Sequence, residues 1–122
     1  MKLNIRIKQT KPGIVTLSPS GSINTETSMI LDKEINKLLT QAKRALVLDM
    51  AEVDFVTSAG IGTIAKAKKS LNKIGSDLAM LNVQPQVKRV FEIIRLLPSM
   101  NVFTNMDELD EYLGRVQRDI KG

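Results

Sequence analysis

The sequence has 122 residues, a formal net charge of +5 and 43% hydrophobic residues, which suits one domain with a single core. It contains no cysteine and no histidine, which excludes disulfides, thiolate nucleophiles, zinc-finger sites and histidine acid/base catalysis. Aromatic residues make up only 3%, which argues against base stacking on single-stranded nucleic acid.

Two strands joined by a tight turn are predicted at the start of the chain. Residues 3–8 alternate between apolar and polar side chains, as is typical of a half-buried strand. Residues 11–13 contain Pro-Gly, a turn signal, so residues 14–17 are expected to return as an antiparallel strand. Pro19 lacks an amide donor and should lie near that strand's end or at an edge.

A helix and a central strand follow. Residues 21–27 are predicted to form a loop and a helix start, with Asn24 as the cap and Thr27 as an alternative cap. Apolar residues then recur at helical spacing, namely Leu31, Ile35, Leu38 and Leu39. The uninterrupted apolar run at residues 45–48, which Asp49 ends, indicates a strand covered on both faces.

The second half of the chain repeats the alternation of strand and helix. A helix is expected from near Ser58 to Gly75, a typical C-terminal stop. Its inward residues are predicted to be Ile61, Ile64, Ala65, Leu71 and Ile74. Residues 78–81 indicate another buried strand, after which Pro85 begins a third helix. The inner stripe of that helix is Val87, Val90, Phe91 and Ile94.

A short strand and a last helix complete the predicted elements. Pro98 helps to end the preceding helix, and residues 102–103 form the strand. Residues 105–108 resemble a capping box in which Asn105 is the cap. The helix behind it turns four residues inward, namely Leu109, Tyr112, Leu113 and Val116. The polar tail from about residue 117 is expected to fray.

These elements have the order β-β-α-β-α-β-α-β-α in one domain over residues 1–122. Strands that alternate with helices predict a mostly parallel sheet with right-handed crossovers, and the initial hairpin makes the sheet mixed. The predicted fold class is therefore α/β, with about five strands and four helices. No apolar run approaches the roughly 20 residues that cross a bilayer, and the N-terminus does not read as a signal peptide, so we predict a cytoplasmic protein.

The acidic residues do not assemble a recognisable catalytic or metal site. Asp49 suits a phosphoaspartate receiver, but the first strand ends without the acidic pair that would hold magnesium. Asp49, Glu52 and Asp54 are expected in one loop, where carboxylates are mostly solvated. The segment Gly60–Gly62 lacks the Lys-Ser/Thr of a phosphate-binding loop. We predict no enzyme activity, no catalytic residue, no metal and no cofactor.

Four lysines lie on one helical segment, namely Lys66, Lys68, Lys69 and Lys73. A basic stripe can attract nucleic acid, but no arginine–aromatic interleaving accompanies this one, so a solvated helix face is favoured.

Ser58 is the candidate for chemistry that remains. A serine where the chain turns into a helix is often an ordinary cap, or the first helical residue behind a Thr57 cap. Gly60 and Gly62 change the balance, because glycine in a helix costs about 1 kcal/mol relative to alanine. Accepting two glycines suggests a close backbone approach, by either an internal neighbour or an external partner.

The segment Phe55–Gly62 resembles the phosphorylation-site motif of the STAS-domain anti-sigma-factor antagonists. In that family the motif reads apolar, apolar, Asp, Ser, a small residue, Gly, Leu or Ile, Gly. The segment Gly21–Asn24 is similar to the family's Gly-x-Leu/Ile-Asp before its first helix, and Val47–Asp49 is similar to the strand before the site. Element order and length agree over nearly the whole chain.

The resemblance implies a single STAS domain that binds an anti-sigma factor, which is also a serine kinase, and so releases a sigma factor for transcription. Phosphorylation at Ser58 inactivates the antagonist, a phosphatase reverses this, and ATP belongs to the kinase. Thr57 is a second candidate acceptor. The partner-binding residues implied are Asn24, Thr57, Ser58, Ala59, Gly60, Ile61 and Gly62.

Two positions depart from the family pattern, since Asn24 and Thr57 stand where the family has aspartates. A phosphorylation-independent STAS module, acting as a scaffold in a stress-signalling or transport-associated complex, therefore stays open as the alternative. The sequence leaves the oligomeric state open.

Overall fold

A computed structural model of the chain describes residues 3–94, 101–103, 107–112 and 114. In chain order the elements are β1 Asn4–Lys11, β2 Ile14–Ile23, α1 Thr25–Leu38, β3 Ala45–Asp49, β4 Glu52–Val56, α2 Ser58–Lys73, β5 Leu78–Leu81, α3 Pro85–Ile94, β6 Asn101–Phe103 and a helical segment α4 at residues 107–112. Within these ranges no helix combines the length and apolar character that crossing a membrane requires.

The strands of the described ranges form one mixed sheet in the order β1-β2-β3-β5-β6, with β4 paired to β2. β1 and β2 are antiparallel, and all other pairs are parallel. β2 is long enough to serve two partners on one side. Its residues Ile14–Leu17 pair with β3, and its residues Ser20–Ile23 pair with β4. The predicted α/β class with a mixed, mostly parallel sheet is confirmed.

β4 is an addition to the predicted order, because residues 52–56 were expected to be loop. The register of β2 and β4 shifts between Gly21 and Ser22, so Asp54 has no partner on β2 and forms a bulge. Val53 and Val56 are buried on either side of this bulge, three residues apart. A strand with this spacing lacks the period of two by which strands are recognised.

Pro19 lies inside β2, which has partners on both sides in the sheet, and not near the strand's end or at an edge as predicted. Pairing with β3 stops at Leu17 and pairing with β4 begins at Ser20, so Pro19 occupies the gap between the two partners. No parallel neighbour requires an amide donor at this position, which is why a proline is tolerated inside the strand.

The two faces of the sheet carry different cores. Alternate residues such as Val15, Leu46 and Leu48 face the larger core under the helices α1, α2 and α3. Their neighbours Ile14 and Val47 face a smaller core. That second core also contains Ala79, Leu81 and Leu109, the last of which lies in α4. The apolar runs of β3 and β5 are thus covered on both faces, as predicted.

The helix ends match the sequence signals with one exception. Asn24 caps α1, Pro85 begins α3, and Gly75 follows the α2 cap with φ +81°, the left-handed conformation expected of a stop. Ile74, predicted to face inward, is 50% exposed because the helix ends at Lys73 and the chain turns away. The predictions for Pro98, Asn105, Leu113, Val116 and residues 117–122 lie outside the described residues, as does the side chain of Ile94.

Candidate functional site

Thr57 and Ser58 form the start of α2, directly after β4. Thr57 is the N-cap, and its amide donates to the Ile23 carbonyl at 2.9 Å. Its hydroxyl accepts from the Gly60 amide at 3.4 Å and donates to the Ile23 carbonyl at 3.5 Å. Ser58 is exposed as the first helical residue, and its hydroxyl has no hydrogen bond among the described residues. Of the two candidate acceptors, Ser58 is therefore the accessible one.

Asn24 caps the neighbouring helix α1. Its side-chain oxygen accepts from the amides of Glu26 at 3.0 Å and Thr27 at 2.9 Å. The Thr27 hydroxyl in turn accepts from the Asn24 amide at 2.8 Å and donates to the Ser22 carbonyl at 2.7 Å. The two cap candidates of the sequence therefore act together in one reciprocal capping box.

The two helix starts lie side by side. Ile23 and Val56 are paired in the sheet, and Asn24 and Thr57 are the residues that follow them. Both positions at which the family has aspartate are thus helix N-caps. Asparagine and threonine can accept the same amide hydrogen bonds as aspartate. Both helices are therefore capped without the two negative charges that aspartates would bring.

Gly60 is required by the packing of α2 on the sheet. A Cβ built at this residue would lie 2.7 Å from Ile23 Cγ2, 2.8 Å from the Ile23 carbonyl oxygen and 2.9 Å from Val56 Cγ1. These distances are shorter than any normal contact, so only glycine lets the helix approach this closely. Of the two explanations for a close backbone approach, Gly60 therefore fits the internal neighbour.

Internal packing does not require a glycine at position 62. It is exposed, and a Cβ at this position would have nothing within 4 Å. Glycine nevertheless weakens the helix here by about 1 kcal/mol relative to alanine. Gly62 lies one helical turn after Ser58, so the bare backbone and the free hydroxyl share one face of α2. This face is where an external surface can approach the backbone.

The remaining residues of the motif are divided between surface and core. Ala59 is half-buried beside Ser58, whereas Ile61 is only 2% exposed and packs in the larger core. Ile61 and Gly60 therefore shape the site from beneath and do not reach its surface. Phe55, Ser58 and Gly62 are the exposed members of the segment, and Thr57 and Ala59 are half-buried. A partner that packs on the start of α2 can therefore touch Ser58, Ala59 and Gly62.

A groove of about 250 Å³ continues this surface onto α1. It is lined by Ser28, Met29, Asp32, Ala59, Gly62, Thr63 and Lys66. Met29 is 72% exposed, a large value for an apolar side chain. Asp32 and Lys66 form an exposed ion pair at 3.6 Å across the groove.

Two exposed apolar side chains near the site were not predicted from the sequence. Met29 precedes the buried Leu31 on α1, and Phe55 is 53% exposed on β4 opposite Ser22. For Met29, exposure could have been inferred from the sequence only because the residue does not fall in the helical repeat of the buried residues of α1. Phe55 had no signal, because the bulge at Asp54 conceals which face of the sheet it occupies.

The three carboxylates do not converge on one point. Asp49 accepts from the Ala51 amide and from Asn82, each at 3.2 Å, whereas Asp54 accepts from the Ser22 hydroxyl at 2.9 Å. Glu52 and Asp54 lie on β4 and not in a loop as predicted. Among the described residues, no three acidic side chains are grouped so that they could hold a metal ion.

Two of the four lysines of the basic stripe are neutralised by partners. Lys66 pairs with Asp32, and Lys68 pairs with Asp77 at 2.8 Å. Burial raises the pKa of Asp77, but hydrogen bonds from Lys68, the Leu78 amide and Tyr112, with the Lys68 charge, outweigh it and lower the pKa below 3.8. These pairs reduce the positive charge available to a nucleic acid.

Comparisons with known proteins place this geometry in a family. Residues 6–109 match the STAS domain. The anti-sigma F factor antagonist of Paenibacillus polymyxa is 24% identical over 106 residues, which cover 86% of this chain and 90% of that protein. The anti-sigma-B factor antagonist of Listeria monocytogenes is 29% identical over 98 residues, which cover 79% and 84%.

Solved structures share the fold at low sequence identity. An anti-sigma factor antagonist from Mycobacterium paratuberculosis gives a TM-score of 0.80 at 21% identity, covering 91% of this chain and 93% of that one. The phosphorylated form of the Bacillus cell fate determinant SpoIIAA gives 0.68 at 18% identity, covering 89% and 99%. A sulfate transporter family protein from Wolinella succinogenes gives 0.74 at 14% identity, covering 91% and 93%.

The family match extends over most of the chain, the strand and helix order is that of the solved structures, and the small-residue motif lies at the start of α2. The chain belongs to the STAS domain family.

Proposed function

We propose that this protein is an anti-sigma factor antagonist, which binds an anti-sigma factor through the surface formed by Ser58, Ala59, Gly62 and Met29. The observation that carries the proposal is that two exposed residues share one face of α2: Ser58, whose hydroxyl has no hydrogen bond among the described residues, and Gly62, where a Cβ would meet nothing within 4 Å. Support comes from the antagonists among the relatives. In this role the chain is a protein-binding module and not an enzyme.

The switch that we propose is phosphorylation of Ser58 by the partner, an anti-sigma factor that is also a serine kinase. A phosphate adds about −1.5 to −2 charges at neutral pH. As the first residue of α2, Ser58 places that charge beside unpaired helix amides, which stabilise it by about 0.3–1 kcal/mol. The fold therefore tolerates the modification, and a phosphatase can reverse it.

We expect phosphorylation to weaken partner binding and to leave the fold intact. A partner packed against Ala59 and Gly62 would bury the phosphate away from water. Within the described residues, the nearest basic side chain that lines the groove is Lys66, which Asp32 already partners. Burying a charge without a counter-charge costs a few kcal/mol, which weakens binding by about a hundredfold or more. Unmodified chain binds the partner, and phosphorylated chain releases it.

Ser58 is preferred over Thr57 as the acceptor for a structural reason. The Thr57 hydroxyl both accepts and donates hydrogen bonds at the helix start, and its residue is half-buried. Its modification would remove the cap of α2, which contributes about 1 kcal/mol. In the described parts of the chain, modification of Ser58 breaks no hydrogen bond.

The alternative function is a phosphorylation-independent STAS module in a stress-signalling or transport-associated complex. The observation that favours it is the neutral pair Asn24 and Thr57, which keeps the caps but removes two charges that a kinase could recognise. In that case the same surface binds its partner statically, and Ser58 is only a small exposed residue.

One experiment separates the two functions. The chain and its Ser58→Ala variant are incubated with the cognate anti-sigma factor and ATP, and phosphate is located by mass spectrometry. We expect one phosphate on Ser58 in the native chain and none in the variant. Partner binding without phosphate on either Ser58 or Thr57 would support the static module and contradict the switch.

A second experiment tests the mechanism of release. Ser58→Asp should weaken partner binding at least tenfold in calorimetry, because it places a charge in the interface. The matched control is Gln41→Glu, which adds one charge at an exposed turn beyond the far end of α1, about 20 Å from the helix start. Equal loss of binding in both variants would show a general charge effect and refute a local switch.

A further inference from the structure

We infer a second binding site, independent of the proposed partner surface, for a small dipolar molecule that carries a positive and a negative charge on an apolar body. The site is a cavity of about 270 Å³ between the sheet and α4. This face is the one that carries the smaller core, opposite to the helices α1 and α2.

The charged residues of this cavity are two lysines and two aspartates, so their formal charges cancel. Lys8 and Lys11 come from β1, Asp49 ends β3, and Asp110 lies in α4. Within the described parts of the chain, none of the four takes part in an ion pair. The hydrogen bonds found for Asp49 both involve Oδ1, which leaves Oδ2 facing no protein donor in those parts.

The sheet holds Lys8 and Asp49 apart. Lys8 is paired with Thr16 on β2, and Thr16 is paired with Val47 on β3, the strand that Asp49 ends. β1 and β3 are thus two strand spacings apart, about 10 Å. At this separation Lys8 and Asp49 leave room for a molecule that reaches from one sign of charge to the other.

The floor between the charges is apolar, with a polar wall. Its apolar side chains are Ile14, Val47, Leu81 and Leu109, all buried, and its hydroxyls are Thr16 and Ser18. Apolar linings with a few convergent polar groups are typical of small-molecule sites. The floor suits a chain of methylene groups, and the two ends suit a carboxylate and an ammonium.

A dipolar ligand is favoured over a singly charged one by electrostatics. An anion that meets the lysines is repelled by Asp49 and Asp110, and a cation that meets the aspartates is repelled by Lys8 and Lys11. A molecule with one charge of each sign satisfies both ends at once. Each exposed charge contact is worth roughly a factor of 1.5 to 5 in affinity.

The test uses 6-aminohexanoate as the probe, with hexanoate and hexylamine as singly charged matches of the same length. The protein carries ¹³C-labelled Ile, Val and Leu methyl groups, and each compound is titrated to about 20 mM because ligands of this size bind weakly. We expect 6-aminohexanoate to shift the methyl signals of Ile14, Val47, Leu81 and Leu109 with at least about threefold higher affinity than either match.

Variants then identify the charges. Lys8→Gln and Asp49→Asn should each weaken 6-aminohexanoate about two- to fivefold, and asparagine keeps the oxygen that accepts from Ala51. The control is Lys69→Gln, which removes an exposed charge from α2 on the other side of the sheet and should leave the affinity unchanged. Methyl signals that do not shift, or equal binding of hexanoate, would overturn the assignment.

Discussion

Alanine at Gly60 and alanine at Gly62 should change stability in opposite directions, although the two glycines are only two residues apart in one helix. At Gly60 the new methyl group would lie 2.7–2.9 Å from Ile23 and Val56, including the Ile23 carbonyl oxygen. Both neighbours are β-branched and stiff, and one contact is with backbone, so the helix itself has to move.

The magnitudes follow from two opposing terms. Overpacking a tight core costs about 1–3 kcal/mol, and the backbone contact at Gly60 places this case at the upper end. Alanine regains about 1 kcal/mol of helix propensity at either position. We therefore expect Gly60→Ala to lose about 1–2 kcal/mol and Gly62→Ala, with nothing within 4 Å, to gain about 1 kcal/mol.

Thermal and urea unfolding, followed by circular dichroism, measure both changes. For a domain of this size, 1 kcal/mol corresponds to about 3–6 °C in Tm. The two variants should therefore differ by roughly 10 °C, with Gly62→Ala above the native chain. If Gly62→Ala melts below the native chain, or Gly60→Ala melts above it, the packing account of the two glycines is wrong.

Measuring partner binding of the Gly62→Ala variant tests whether this glycine has a role in the interface. If Gly62 is retained so that a partner can approach the backbone, Gly62→Ala should weaken partner binding while it raises Tm. A variant that is more stable and binds equally well would show that the bare backbone at Gly62 has no part in the interface.

Three further predictions concern caps, charge and pH. Asn24→Ala should lower stability by about 1 kcal/mol in urea unfolding because two amides lose their acceptor, whereas Asn24→Asp should keep it. Ser58→Asp should leave Tm within a few degrees, since a charge at a helix start is tolerated, and a large loss would indicate a structural role. Because the pKa of Asp77 is lowered in the folded state, its stabilising effect is present above the ordinary value of 3.8 and is lost as the pH falls through the folded value. Urea unfolding of Asp77→Asn between pH 2 and pH 6 should accordingly show a smaller loss of stability on acidification than the native chain does, and an equal loss would contradict the assignment.

Short-range patterns in the sequence were sufficient for most of the fold. The continuous apolar runs of β3 and β5 predicted central strands because a strand buried on both faces has no polar side. The cap at Asn24 was recognisable, and the cap of α2 was narrowed to Thr57 or Ser58, because a cap depends on one side chain and the amides next to it. The position of Ser58 at a helix start was therefore determined by the sequence alone.

Contacts between distant segments decided the rest. β4 exists because β2 is long enough to pair with it beyond the end of β3, and Pro19 is tolerated where one partner replaces the other. The motif has two glycines, yet a Cβ at Gly60 would meet Ile23 and Val56, whereas a Cβ at Gly62 would meet nothing within 4 Å. That difference depends chiefly on Ile23, which lies more than thirty positions before Gly60 in the chain. Local sequence therefore determined where the helix begins, and only the tertiary structure decided which glycine serves the fold and which faces solvent.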